Sequence, residues 1–108
     1  MLAREYRLPA TVKLTKAQFL RTPLFSFKFS KNNLPKSRFG FVVRKSVDKR
    51  AVARNRIRRL FRSCIEALQK DILPGYDMLF FLEKGIIDKQ QADLCQELQT
   101  TLKQKDLL

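Results

Sequence analysis

The stretch Ile57-Arg58-Arg59-Leu60-Phe61-Arg62-Ser63-Cys64-Ile65-Glu66-Ala67-Leu68 decides how the chain is read. Its apolar positions, Ile57, Leu60, Phe61, Cys64, Ile65 and Leu68, recur at intervals of three and four, which puts them on one side of an α-helix. The stripe predicts one helix of about five turns from about Lys49 to Lys70, with that side buried. Upstream the period drops to two. Phe25, Phe27 and Phe29 alternate with Ser26, Lys28 and Ser30, which predicts a strand over Leu24 to Ser30. Arg38 to Arg44 repeats the pattern with Phe39, Phe41 and Val43, and the intervening Asn32, Asn33 and Pro35 mark a turn. An antiparallel hairpin is the simplest pairing of these two strands.

Downstream of the helix, Pro74 and Gly75 close the connection and Tyr76 to Glu83 forms a third strand. Its unbroken apolar centre, Met78 to Leu82, predicts a central position buried on both faces. Lys84 and Gly85 mark an exit turn. Asp88 and Gln91 have capping-box spacing, and Leu94, Cys95, Leu98 and Leu102 give the stripe of a closing helix. Near the start, Thr15 and Gln18 have the same spacing, which predicts a short helix closed by Pro23. Residues 1–13 read as an extended or mobile arm. The order is helix, strand, strand, long helix, strand, helix. It predicts a two-layer α+β sandwich in a single domain over 1–108.

The chain has 108 residues, 23 of them Lys or Arg against 10 Asp or Glu, a net charge of +13. With 44% hydrophobic residues it carries enough apolar mass for a core, which argues against wholesale disorder. The charge is uneven. Residues 1–62 hold 18 basic side chains and only Glu5 and Asp48, whereas residues 63–108 are net acidic. A polyanion that neutralises the first half gains entropy from released counterions, so nucleic acid is the leading partner class. No apolar run approaches the ~20 residues of a membrane span and no signal-type segment opens the chain, so it reads as soluble and cytoplasmic, with no membrane partner. There is no histidine, and two cysteines 31 positions apart lack metal-ligand spacing. Cys64 and Cys95 both fall on apolar stripes and read as small core residues without a redox or metal role. The acids Asp71, Asp77, Glu83, Asp88 and Asp93 are scattered, so neither a catalytic carboxylate cluster nor a protein-held metal is expected.

On a wheel at roughly 100° per residue, Asn55, Arg58, Arg59 and Arg62 share the side of the long helix opposite its stripe, and Arg54 lies at the border. The stripe anchors the helix, and planar guanidinium forks can bind phosphate or stack on bases, which suits a folded RNA. Duplex DNA is not expected, because Asn55 is the only obvious base reader.

The run Lys49-Arg50-Ala51-Val52-Ala53-Arg54-Asn55-Arg56-Ile57-Arg58-Arg59-Leu60-Phe61-Arg62 resembles the arginine-asparagine-arginine signature of the bacterial ribonuclease P protein component, the small subunit of the ribonucleoprotein endonuclease that trims precursor tRNA. Leu14 to Phe19 resembles the family's first helix, Arg38-Phe39-Gly40 its second-strand opening, and Asp77 to Gly85 its third strand. The resemblance implies a left-handed β-α-β crossover, against the usual right-handed rule. It also implies that Arg54, Asn55, Arg58, Arg59 and Arg62 contact the catalytic RNA, with Lys45 and Arg50 flanking them. The single-stranded 5′ leader of precursor tRNA would lie in a cleft beside the sheet, with Phe19, Ser26, Phe27 and Lys28 as candidate lining residues. Either Phe25 and Phe27 are core while Ser26 and Lys28 face the leader, or the reverse; alternating phenylalanines favour the first arrangement. Arg44 stands where the family often has a small polar residue. By the same resemblance, hydrolysis is performed by the RNA subunit with Mg2+ held mainly by that RNA. The alternative is a noncatalytic RNA-binding module, such as a ribosome-associated protein.

Overall fold

The computed structural model describes residues 4–9, 14, 16–87 and 89–108. Strands β1 (Gln18–Arg21), β2 (Phe25–Lys31) and β3 (Arg38–Val43) precede helix α1 (Ala51–Leu68); strand β4 (Tyr76–Leu82) and helix α2 (Gln91–Gln104) follow it. The four strands form one sheet in the order β1-β2-β4-β3.

Two expectations about the strands are corrected first. The segment before Pro23 is a strand rather than a helix, and β1 pairs antiparallel with β2. Only the four residues Gln18–Arg21 precede the turn at Thr22, and Lys16 just upstream has a left-handed backbone (φ 53°), which interrupts any helix there. Thr22 then folds the chain back: its Oγ1 accepts from the Phe25 N–H at 3.1 Å and donates to the Phe25 carbonyl at 2.8 Å. Thr15, half of the expected capping pair, lies outside the described residues. Secondly, β2 and β3 do not form a hairpin. Strand β4 sits between them, antiparallel to β2 and parallel to β3, so β3-α1-β4 is a crossover unit. Strand β4 is apolar on successive residues, and the inner position gives it a neighbour on each side.

The register explains the core. Phe25, Phe27 and Phe29 oppose Leu82, Phe80 and Met78, which in turn oppose Val43, Phe41 and Phe39. All nine point to the helix side. Phe61 of α1 meets Phe80 at 4.9 Å and Phe25 at 5.4 Å between ring centroids, and Phe27 stacks on Phe80 at 5.1 Å. Such ring pairs add about 0.5–1.5 kcal/mol each beyond burial. The α1 stripe of Ile57, Phe61, Cys64 and Ile65 is buried as the sequence period predicts. Helix α2 covers it with Leu94, Leu98 and Leu102.

Cys64 and Cys95 are joined as a disulfide between α1 and α2, which departs from their reading as plain core residues. The two stripes face each other, so cysteines on both come within bonding reach, a relation that one-helix periodicity does not reveal. The start of α2 also differs from expectation: Gln90 is its N-cap, without a side-chain cap, and Asp88 lies outside the described residues.

With both helices on one side, no helix among the described residues covers the other face of the sheet. Leu79 and Phe81, read as fully buried, are half-buried there. The described part of the arm runs along β3, where the Leu8 N–H donates to the Phe39 carbonyl at 2.8 Å.

Candidate nucleic-acid interface

Two polar surfaces follow from this arrangement. The first is the solvent side of α1. Asn55, Arg58, Arg59 and Arg62 line a shallow depression with Val52. Arg58 donates to the Asn55 amide oxygen at 2.7 Å, and the Arg62 guanidinium lies 6.0 Å from the Phe41 ring centroid. These contacts hold two of the forks in place at little cost in side-chain freedom on binding.

Arg54 and Arg50 behave differently. Arg54 donates to the carbonyls of Asp48 and Lys49, at 3.0 and 2.9 Å, and so ties the preceding loop to the first turns of the helix. Arg50 forms a two-point pair with Asp48, whose Oδ1 also accepts the Arg50 backbone N–H at 2.9 Å. Side-chain and backbone hydrogen bonds from Arg50 hold the Asp48 carboxyl below its ordinary range. A carboxylate here also complements the positive end of α1, whose first turn contains no acid. Asp48 therefore organises the start of the arginine helix, a role its isolation in a basic stretch did not signal. Lys45 is exposed in the turn after β3, anchored by buried Val47 two residues on.

The second surface is the open face of the sheet. Phe19, Ser26 and Lys28, expected in a cleft, line one groove of about 320 Å³ together with Arg21, Arg44, Phe81 and Glu83. Phe19 is 55% exposed. Phe27 does not belong to it. Strand alternation turns Phe27 to the helix side, where it has no exposed surface and packs against Phe29 and Phe80. The first of the two possible registers of β2 is thus the observed one. The sequence reading missed Phe81, because an all-apolar strand hides which face is covered. Arg44, already conspicuous in sequence, lies 5.2 Å from the Phe81 ring centroid, and Lys28 lies 5.9 Å from it.

Among the described residues, no three His, Cys, Asp or Glu side chains gather as a metal site. No helix among them is long and apolar enough to cross a membrane.

The family model described as Ribonuclease P matches residues 10–106. The chain belongs to the ribonuclease P protein family. A ribonuclease P protein component from Histophilus somni (strain 2336) is 40% identical over 95 residues, covering 82% of this chain and 79% of that protein. One from Synechococcus sp. (strain JA-2-3B'a(2-13)) is 35% identical over 72 residues, covering 67% of this chain and 54% of that protein. Over the ribonuclease P protein from Thermotoga maritima the fold superposes with a TM-score of 0.76 at 24% identity, covering 82% of this chain and 84% of the other. Membership of the ribonuclease P family makes the chain a subunit of a tRNA-processing nuclease with an RNA partner. It also decides against a ribosome-associated clamp.

Proposed function

We propose that this chain works in the cytoplasm as one RNA-binding domain, bridging ribonuclease P RNA and precursor tRNA. The α1 surface binds the catalytic RNA, and the open sheet face holds the 5′ leader. The observation that carries the reading is the arginine side of α1: four polar groups, Asn55, Arg58, Arg59 and Arg62, stand on a helix whose opposite stripe is locked into the core. Fixed guanidiniums neutralise phosphates and let two RNAs approach, with counterion release as the driving force. The sheet groove adds an exposed ring for stacking and three cations for a backbone, the features a single strand requires.

In this reading the protein contributes affinity and alignment. Hydrolysis of the phosphodiester, which leaves a 5′-phosphate on the mature tRNA, belongs to the RNA and the Mg2+ that it holds. The test is to combine purified protein, a ribonuclease P RNA and labelled precursor tRNA at low magnesium. Leader release that requires both protein and RNA is the expected result. Cleavage by the protein without RNA overturns the division of labour.

A further inference from the structure

The groove on the open sheet face contains one side chain that phosphate binding does not explain. Among the described residues that line it, Glu83 alone is acidic, in the company of Arg21, Lys28 and Arg44. Its place is set by the fold: its backbone N–H donates to the Leu24 carbonyl at 2.9 Å, and its Oε1 accepts from the Ser26 hydroxyl at 3.5 Å. A carboxylate repels a phosphate chain. It is suited to a partner that presents N–H donors.

The aromatic partners point the same way. Phe81 has both Lys28 and Arg44 over its ring, whereas Phe19 is exposed on the same face, one strand beyond Lys28. Phe19 is thus the open stacking platform, and cations and an acid share the groove with it. A base stacked on such a platform turns its Watson–Crick edge to neighbouring polar groups. An ionised carboxylate only accepts hydrogen bonds, and its two oxygens match the adjacent N1–H and N2–H of guanine. Adenine and cytosine offer one amino donor beside a ring acceptor. Uracil sets its single N–H between two carbonyl oxygens that oppose the carboxylate.

We propose that Glu83 is a specificity-determining residue of this groove and selects guanine in a single-stranded RNA segment stacked on Phe19, with uracil the least favoured base. The inference rests on the reading of the groove as the leader site. Ser26 supports the pair as a positioning residue through its hydroxyl contact with Glu83.

The test uses holoenzyme reconstituted from the chain and ribonuclease P RNA. It is titrated with precursor tRNAs that carry G, A, C or U at each leader position in turn, and with leaderless tRNA. Guanine at one position binds roughly tenfold tighter than uracil, the scale of a two-point base contact. Glu83→Gln replaces two acceptors by one acceptor and one donor, the pattern that matches the amino donor and ring acceptor of adenine and cytosine, so the optimum at that position moves from G to A or C. Phe19→Ala flattens the ranking without exchanging it. A ranking unchanged in Glu83→Gln, or one led by uracil in the wild type, overturns the role of Glu83 while a leader-dependent gain in affinity still upholds the groove as the leader site. Equal affinity for leadered and leaderless tRNA overturns both.

Discussion

Arg38 and Asp77 are register partners at the start of the two parallel strands, and their side chains close a two-point ion pair at 2.8 and 2.7 Å. Asn32 adds a third hydrogen bond to the same carboxylate, at 3.0 Å, from the loop after β2. One buried acid thus joins β3, β4 and that loop. Burial by itself would raise the Asp77 pKa, but the hydrogen bonds from Arg38 and Asn32 and the Arg38 charge outweigh it and hold the carboxyl below its ordinary range. A group depressed in the folded state contributes stability that is complete above its unfolded pKa and is lost as pH falls through the folded value. Wild-type stability should therefore fall below about pH 4, the ordinary aspartate range, and Asp77→Asn should flatten that decline. Arg38→Ala leaves the carboxylate short of its partner and should cost about 2 kcal/mol at neutral pH. Urea unfolding at pH 3 to 7 checks both; parallel pH profiles for wild type and Asp77→Asn contradict the assignment.

The sheet order illustrates what was legible in the sequence and what was not. Period-two and period-three-to-four patterns located β2, β3, α1, β4 and α2 within a few residues, because burial on one face writes itself into local spacing. Pairing depends on which edge meets which, and nothing local to Lys31–Ser37 announced that β4 would enter between β2 and β3. Asn32 now shows the reason: its backbone N–H donates to the Gly75 carbonyl, so the end of β2 is bound to the start of β4. The arginine side of α1 was readable because the helix wheel fixes it. The sheet groove was only half readable. Phe19 and Lys28 fall on it, but Phe81 needed the tertiary fact that α1 and α2 lie on one face. The short strand β1 escaped because four edge residues carry almost no periodicity and its partner supplies the hydrogen bonds.

Gly85 tests the seam between the β1–β2 turn and the end of β4. A Cβ placed there would stand 2.7 Å from the Pro23 carbonyl oxygen, a backbone atom that cannot rotate away. Gly85→Ala should destabilise the fold by about 1–3 kcal/mol, the range for an overpacked site. It should also shift amide signals of Thr22 and Leu24, neighbours of the groove. Wild-type stability with unmoved signals would mean that the two segments do not meet.

The Cys64–Cys95 cross-link closes a sequence separation of 31 residues. Restricting the unfolded chain over such a loop stabilises by roughly 3–4 kcal/mol in the chain-entropy account. Reduction, or Cys64→Ser with Cys95→Ser, should lower the unfolding midpoint by that scale. Cys64 lies on the buried stripe, away from the arginines, so RNA affinity at 25 °C should change less than about twofold, within the ±0.5 kcal/mol typical of changes remote from a site. Identical denaturation curves with and without reductant would show that the bond does not form in solution.

The two groups of arginines on α1 should separate by experiment. Arg58 and Arg62 are half-buried on the outer side of α1 beside exposed Asn55 and Arg59, and they contact Asn55 and the Phe41 ring. Arg54 spends hydrogen bonds on the carbonyls of Asp48 and Lys49. Arg58→Ala and Arg62→Ala should each weaken binding to ribonuclease P RNA and reduce the slope of log affinity against log salt by about 0.7 to 0.9, one phosphate contact apiece. Their unfolding midpoints should stay near wild type. Arg54→Ala should lower the midpoint as well, by about 1 kcal/mol, because backbone carbonyls before the helix lose their donor. Salt-series binding and denaturation on the same three variants give the comparison. If Arg58→Ala and Arg62→Ala leave the slope unchanged, the RNA lies against some other surface, and the solvent side of α1 loses its role.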